Sequence, residues 1–208
     1  MYTPAHFAAS PEAITALLQD SGAANLVTMT TDGLLATFLP FVHDPSVGGH
    51  GALQSHMARN NTQWSSPVSG EALMIVQGSD AYISPSWYAS KAEHGRVVPT
   101  WNYSTAHVYG ELVVHDDVDW LARHVRRLSD RHEASMPQPW TVDDAPERFI
   151  AGQLRAIVGV ELVITRVEAK TKLSQNRSAA DVDGVIAGLR AAGDPASAAD
   201  MERARNPK

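Results

Sequence analysis

The stretch ANLVTMTTDGLLATFLPFVHD, residues 24–44, is the part of the sequence that decides the fold class. Two runs of β-branched and apolar residues flank Thr31, Asp32 and Gly33. An Asp-Gly pair between such runs is a strong signal for a tight turn. The stretch therefore predicts an antiparallel hairpin, in which two neighbouring strands are joined directly.

Further strand-like segments follow along the chain, and helical patterns appear at the start and mainly in the second half. Strands are predicted over residues 51–55, 70–78, 80–85, 100–116 and 160–174. Helices are predicted over residues 10–20, 118–133, 146–159, 181–193 and 195–205. Ser10 is the expected cap of the first helix, and Asp116 or Asp117 that of the second. Residues 86–99 contain too many polar residues, glycines and prolines to be regular throughout.

The order of these elements predicts a mainly β fold with helices, of the α+β class. Strands and helices do not alternate in a βαβ rhythm, which argues against a doubly wound parallel sheet. An antiparallel barrel with peripheral and C-terminal helices fits the pattern better. No stretch has the composition of a linker, so residues 1–208 are predicted to form a single domain, with its C-terminal helices starting at about residue 179.

Composition excludes several classes of protein and site. Hydrophobic residues make up 44% and charged residues 19%, as in a soluble globular protein. The absence of cysteine excludes disulfides and thiolate chemistry. No apolar run approaches the roughly 18 residues of a membrane span, and the N-terminus does not resemble a signal peptide. We therefore expect a cytoplasmic protein that does not interact with membranes.

The net charge of −6 argues against a protein that reads DNA directly, because phosphate contacts require basic surfaces. The densest basic cluster is LARHVRRLSDRHE, residues 121–133, and acidic residues surround it. We interpret it as the solvated face of a helix. Direct DNA binding is therefore doubtful.

The segment HMARNNTQW, residues 56–64, is the first candidate for ligand binding. His56, Arg59, Asn60 and Asn61 fall within six residues after a predicted strand. Arginine and backbone N–H groups in such a turn can hold a phosphate. The alternative is an ordinary capped surface turn, and the residues alone leave both open.

The segment 80–103 is the second candidate, because it holds an unusual number of aromatic residues among polar ones. They are Tyr82, Trp87, Tyr88, Trp101 and Tyr103. Such rings can line a pocket for a planar ligand or pack into the core beside a loop. The cis or trans state of the Ser84-Pro85 and Val98-Pro99 peptide bonds cannot be read from the sequence.

The segment TKLSQNRS, residues 171–178, gathers further hydrogen-bond donors at a strand end. Lys172, Gln175, Asn176 and Arg177 suit either an anion site or a helix-entry turn. The nine histidines form no HExxH motif, and we predict no metal site, although a haem needs only one histidine. Nucleophile and nucleotide motifs are also missing, so no catalytic residue is assigned. His94 and His107 flank the aromatic segment and are the ones to test.

Several long motifs resemble the PaiB family, whose members are described as FMN-binding negative transcriptional regulators. The similarity extends over about residues 1–193 and is carried by these segments: MYTPAHF, LLATFLPF, HMARNN, AYISPSWY, VVPTWNY, HVYGEL, LSDRHE, AIVGVELVITRVEAKTKLSQNRS and DVDGVIAGLR. The resemblance implies a six-stranded antiparallel split β-barrel of the pyridoxamine phosphate oxidase and flavin reductase type. It also implies a homodimer with FMN bound at the interface of the two protomers.

The resemblance also assigns expected roles to the candidate residues. His56, Arg59 and Asn60 become candidates for the phosphate side of an FMN site. Candidates for the ring side and for closing the pocket are Trp87, Tyr88, Trp101, Asn102, Lys172, Gln175 and Asn176.

The implied function is negative transcriptional regulation through binding of a flavin or another ligand, or through a redox role. A flavin-dependent oxidoreductase and a haem-binding or haem-degrading protein remain the alternatives. Whether the protein is an enzyme is left open by the residues.

Overall fold

The computed structural model describes residues 1–205, and this part of the chain contains six strands and six α-helices. The strands are β1 (Ala23–Thr30), β2 (Gly33–Asp44), β3 (Ala52–Ala58), β4 (Ala72–Ile83), β5 (Thr100–His115) and β6 (Ile157–Lys172). The helices are α1 (Pro11–Asp20), α2 (Ser90–His94), α3 (Val118–Glu133), α4 (Glu147–Arg155), α5 (Ala179–Ala191) and α6 (Pro195–Arg205).

The strands are hydrogen-bonded in the closed order β1-β2-β3-β6-β5-β4, which confirms the predicted barrel. β1 pairs antiparallel with both β2 and β4, and β3 pairs antiparallel with both β2 and β6. The hairpin predicted from residues 24–44 is present, with Thr30 opposite Gly33. Gly33 has a φ of 116°, which suits glycine at the end of the turn.

Two of the predicted strands, residues 70–78 and 80–85, are in fact the single strand β4. The prediction was wrong because Gly78 was taken as a strand boundary. A Cβ atom at this position would lie 2.9 Å from Leu17 Cδ1 and 3.2 Å from Ser104 Cβ. Gly78 thus permits a close approach of neighbouring chain segments within a continuous strand.

The helices begin close to the predicted residues. Ser10 Oγ accepts a hydrogen bond from Ala13 N at 3.2 Å, and Asp117 Oδ1 accepts one from Trp120 N at 2.7 Å. These contacts confirm the caps expected from the sequence. None of the helices in the described part of the chain has the length and apolar character needed to cross a membrane.

The chain divides into two compact units, each with its own core. The first unit comprises residues 1–17, 77–106 and 168 onward. Its core contains Ile83, Tyr88, Val185, Leu189 and Met201. The second unit comprises residues 18–76 and 107–167. The largest side chains buried in it include Leu26, Phe41, Leu53, Met74 and Leu162. That residues 1–208 fold as a single domain stays a prediction.

Candidate functional site

Arg59 lies in the turn after β3, where all three guanidinium nitrogens donate hydrogen bonds to the protein. Its Nη1 and Nη2 atoms contact the two carboxylate oxygens of Asp116 at 3.1 and 2.5 Å. Its Nε donates to the Arg155 carbonyl at 2.8 Å, and Nη2 also donates to the Ile157 carbonyl at 3.0 Å. The pairing with Arg59 lowers the pKa of Asp116. Arg59 therefore joins the turn to the end of β5 and the start of β6, while the neighbouring Asn60 is exposed.

His56 belongs to a group of stacked rings in the second unit. Its Nδ1 lies 3.1 Å from Nε2 of His124, which is 2% exposed. Trp120 stacks between His124, at 5.2 Å, and His115, at 4.1 Å between ring centroids. Gly159 lies directly beneath the indole, since a Cβ atom there would be 2.2 Å from Trp120 Cζ3.

Burial sets the protonation of this group. It lowers the pKa of His56, and it lowers the pKa of His124 to about 3, with smaller contributions from repulsion by Arg127 and by the protonated forms of His56 and His115. Both imidazoles are therefore neutral near pH 7. Neutral rings in this position attach α3 to β3 by a hydrogen bond.

A chain of polar contacts continues from His115 along the same unit. His115 Nε2 lies 3.0 Å from Glu161 Oε2, and Gln54 Nε2 donates to Glu161 Oε1 at 2.7 Å. Arg127 then donates to Gln54 Oε1 at 2.9 Å and to Asp44 Oδ2 at 2.8 Å. The buried carboxylate of Glu161 is thus satisfied by two partners. The sequence did not indicate this network, because its members come from five separate segments.

Trp87 and Tyr88 pack inside the first unit. Tyr88 is 3% exposed and belongs to the core, and Trp87 packs against α5. Cβ atoms at Gly184 and Gly188 would lie 2.0 Å from the Trp87 carbonyl oxygen and 2.4 Å from Trp87 Cδ2. Within this chain both residues therefore serve packing, and a role in ligand contact stays a prediction.

Trp101 and Tyr82 present their rings to solvent on the first unit. They are 49% and 50% exposed, although both are large and apolar. The rings meet edge to face with centroids 6.2 Å apart, and Trp101 Nε1 donates to Asp80 Oδ1 at 2.8 Å. We call Asp80, Tyr82 and Trp101 the aromatic surface. Exposed rings held in a fixed geometry can stack on a planar ligand.

Lys172 lies beside the aromatic surface. Its Nζ donates to the Trp101 carbonyl at 2.7 Å and to Thr100 Oγ1 at 2.5 Å. Asn102 is buried instead, and its amide donates to Ser174 Oγ at 3.0 Å. Lys172 is thus the residue of the KLSQN run that the structure places directly against Trp101.

Gln175 and Asn176 follow β6 and are both exposed. Gln175 Oε1 accepts from Leu173 N at 2.7 Å, and its Nε2 donates to the Thr171 carbonyl at 2.6 Å. Gln175 therefore stabilises the chain as it leaves the strand. Contact of these two side chains with a ligand stays a prediction.

Other residues singled out in the sequence occupy separate positions. His94 is exposed at the end of α2, where its Nδ1 accepts from Arg96 N at 3.0 Å. His107 lies in β5 and belongs to the second unit. The peptide bonds before Pro85 and Pro99 are trans. A catalytic role for either histidine stays a prediction.

Comparison with known proteins identifies the family. Residues 1–166 match the model of the family described as "Putative FMN-binding domain". The chain belongs to this family. It is 31% identical over 192 residues to the Protease synthase and sporulation protein PAI 2 of Bacillus subtilis, covering 91% of this chain and 89% of that protein. It is also 32% identical over 186 residues to the Uncharacterized protein AN0679 of Emericella nidulans, covering 74% of each chain. The resemblance to the PaiB family is thereby confirmed.

Solved structures agree on the fold. The conserved hypothetical protein Rv2991 from Mycobacterium tuberculosis matches with a TM-score of 0.58 and 13% identity, over 85% of this chain and 92% of that one. The FAD and heme binding protein from Mycobacterium smegmatis matches with a TM-score of 0.50 and 16% identity, over 86% of this chain and 78% of that one. These likenesses confirm the split-barrel architecture.

The residues of the first unit fit the kind of cofactor that the family description names. FMN combines a planar ring system with a phosphate, so its site needs an apolar surface, hydrogen-bonding groups and positive charge. Trp101 and Tyr82 supply the surface, and Lys172 supplies an ammonium group next to it. The match to the family and this donor set together support FMN as the cofactor.

Proposed function

We propose that the protein binds FMN, with the isoalloxazine ring against the aromatic surface formed by Asp80, Tyr82 and Trp101. The observation that carries the proposal is the half-exposed Trp101, whose indole is fixed by Asp80 and whose backbone carbonyl accepts a hydrogen bond from the Lys172 ammonium. Leaving two large rings exposed is unfavourable unless a ligand or partner covers them. The family to which the chain belongs supports a flavin as that ligand.

Bound FMN would supply the capacity for electron or hydride transfer, and the protein would hold the cofactor in position. Trp101 and Tyr82 would contact the ring, which could lie flat on only one of them because their planes are inclined at 61°. Asp80 keeps the Trp101 indole in position, and Lys172 presents its ammonium group to the anionic end or a ring oxygen of the ligand. Whether a substrate is then reduced, as in a flavin-dependent oxidoreductase, depends on groups outside this surface.

The test compares two tryptophans of the same unit. Because Trp101 is half exposed, Trp101→Ala should weaken FMN binding about tenfold or more while the melting temperature changes little, since stacking on an aromatic side chain is worth about 1–3 kcal/mol. Trp87→Ala is the control for packing and should lower the melting temperature. Flavin fluorescence quenching and calorimetry measure both effects. If the purified protein does not bind added FMN, the proposal fails.

The same purified protein can be used to test whether it binds haem and not flavin. The Mycobacterium smegmatis neighbour is a FAD and heme binding protein by name. A Soret band that appears on adding haemin, and is lost in a single His→Ala variant, would favour haem over flavin. We expect no such band, since the exposed groups described above suit a flavin.

We also propose that two copies of the chain associate through the outer face of the β1–β2 hairpin. Met29, Leu34 and Phe38 are 47%, 67% and 68% exposed there, and Met29 is paired with Leu34 in the register. A twofold dimer uses the same patch on both copies, so an exposed apolar patch can serve as its own partner. Phe38→Asp should therefore convert a dimer into a monomer in light scattering, whereas Val118→Asp, at another exposed apolar position, should not. A wild-type monomer at micromolar concentration would contradict the proposal.

We propose further that any repression of transcription is indirect, through the flavin or a partner protein. On α3, Arg126 pairs with Asp143 at 2.8 Å and Arg127 with Asp44 at 2.8 Å. Two of the four arginines of the basic cluster are thus paired with carboxylates. We expect no binding to DNA from upstream of its own gene near physiological salt. Binding with a steep salt dependence would show a direct mechanism instead.

Location in the cytoplasm stays a prediction.

A further inference from the structure

Two lysines of β6 project on the same side of the strand next to aromatic rings. Lys170 and Lys172 are two residues apart, so their side chains share one face. Lys170 Nζ lies 5.3 Å from the centroid of Tyr103 and 5.9 Å from that of Phe7. Lys172 Nζ is bonded to the Trp101 carbonyl. The aromatic surface therefore continues into a region with two ammonium groups.

A third cation, Arg177, lies just after the strand. Its guanidinium carbon is 4.7 Å from the centroid of the Tyr88 ring. Burial lowers the pKa of Lys172, and the positive charges of Lys170 and Arg177 lower it further. Lys172 is thus close enough to Lys170 and to Arg177 to be repelled by both, and a bound anion would relieve that repulsion.

The three cations do not form ion pairs with carboxylates within residues 1–205. Asp181 interacts electrostatically with Arg177, but its oxygens accept hydrogen bonds from Ser90 N and Oγ at 2.9 and 3.0 Å. Asp80, the acidic member of the aromatic surface, is bonded to Trp101. Arg59, by contrast, already holds Asp116 with two hydrogen bonds. The end of β6 therefore carries positive charge that no carboxylate of residues 1–205 neutralises, unlike the turn at Arg59.

We infer that Lys170, Lys172 and Arg177 form a site for a phosphate monoester. This inference rests on the proposed function when the monoester is that of FMN. It assigns the phosphate to the end of the strand that leads into the KLSQN run. The sequence resemblance had indicated the turn at residues 56–60 instead. A cluster of lysine and arginine side chains beside aromatic rings matches the two ends of a flavin mononucleotide, one anionic and one planar.

The test compares FMN with riboflavin, which has the same ring system without the phosphate. Wild-type protein should bind FMN at least about tenfold more tightly than riboflavin, because charge-assisted hydrogen bonds to phosphate are strong. In a Lys170→Gln, Arg177→Gln double variant this preference should fall to about twofold or less, with riboflavin affinity unchanged. Lys91→Gln removes an exposed charge of the same unit and should leave the preference intact. Lys170→Arg should retain it as well.

Two results would overturn the inference while leaving flavin binding in place. One is equal affinity of the wild-type protein for FMN and riboflavin. The other is a pair of results: Arg59→Gln loses the preference for FMN over riboflavin, and the double variant retains it. This pair would indicate that the phosphate binds at the turn after β3.

If neither flavin binds, the proposed function fails and inorganic pyrophosphate tests the anion site separately. Millimolar pyrophosphate should then raise the melting temperature of the wild-type protein, but not that of the Lys170→Gln, Arg177→Gln variant. Equal shifts in both proteins, or no shift in either, would overturn the anion site as well.

Discussion

The buried His124 should make the stability of the protein depend on pH in a way that one substitution removes. Its pKa falls from 6.5 to about 3 on folding, chiefly because the ring is buried. The unfolded state therefore takes up a proton first as the pH falls, and folding loses stability from about pH 6.5 down to about pH 3. Well above pH 6.5, as at pH 8, the ring is neutral in both states and contributes almost no pH dependence.

The size of the effect follows from the two pKa values. At pH 5 the unfolded ring is almost fully protonated while the folded ring is neutral. Each pH unit in this range changes the free energy of unfolding by about 1.4 kcal/mol. Between pH 8 and pH 5, His124 alone should therefore remove about 2 kcal/mol of stability. His56 has a lowered pKa for the same reason and acts in the same direction.

Urea unfolding at pH 8 and pH 5 measures this difference for the wild type and for His124→Gln. The variant lacks the titrating ring, so its pH-dependent loss should be smaller by about 2 kcal/mol, even if its stability at pH 8 is already reduced. His132→Gln, at an exposed position of the same helix, should behave like the wild type. An equal loss in His124→Gln and the wild type would refute the reasoning.

Two other substitutions test the packing and capping described above. Gly188→Ala introduces a Cβ atom 2.4 Å from the Trp87 ring and should lower the free energy of unfolding by a few kcal/mol, whereas Gly152→Ala, whose nearest contact is at 3.9 Å, should be neutral or stabilising in thermal melts. Asp117→Ala removes the acceptor for Trp120 N and should cost about 1 kcal/mol in chemical unfolding, and Asp117→Asn should recover most of that loss.

Local signals in the sequence were sufficient for most of the fold. The Asp-Gly pair located the hairpin, and Asp117 located the start of α3. The strand boundary placed at Gly78 was wrong, because a glycine required for close packing looks the same as one required for a turn. Only the three-dimensional contacts of that residue separate the two cases.

The candidate site was less predictable, because side chains of one sequence segment have different environments in the structure. Trp87 faces the glycines of α5, whereas Trp101 faces solvent, and both appeared as members of one aromatic segment. The environment of Arg59 depended on Asp116, which lies far away in the sequence. Nothing in the sequence indicated a ligand site at Lys170, except that it lies two residues before Lys172 on the same strand. Whether the predicted residues contact a ligand stays a prediction.

The contact between Gly159 and Trp120 limits how the sequence can change during evolution. A methyl group at residue 159 would overlap the indole, so any larger residue there requires a smaller residue at position 120. Replacing the indole would in turn remove the partner of two imidazoles, His115 and His124. We therefore expect these four positions to change together among relatives, and single substitutions at residue 159 to be rare.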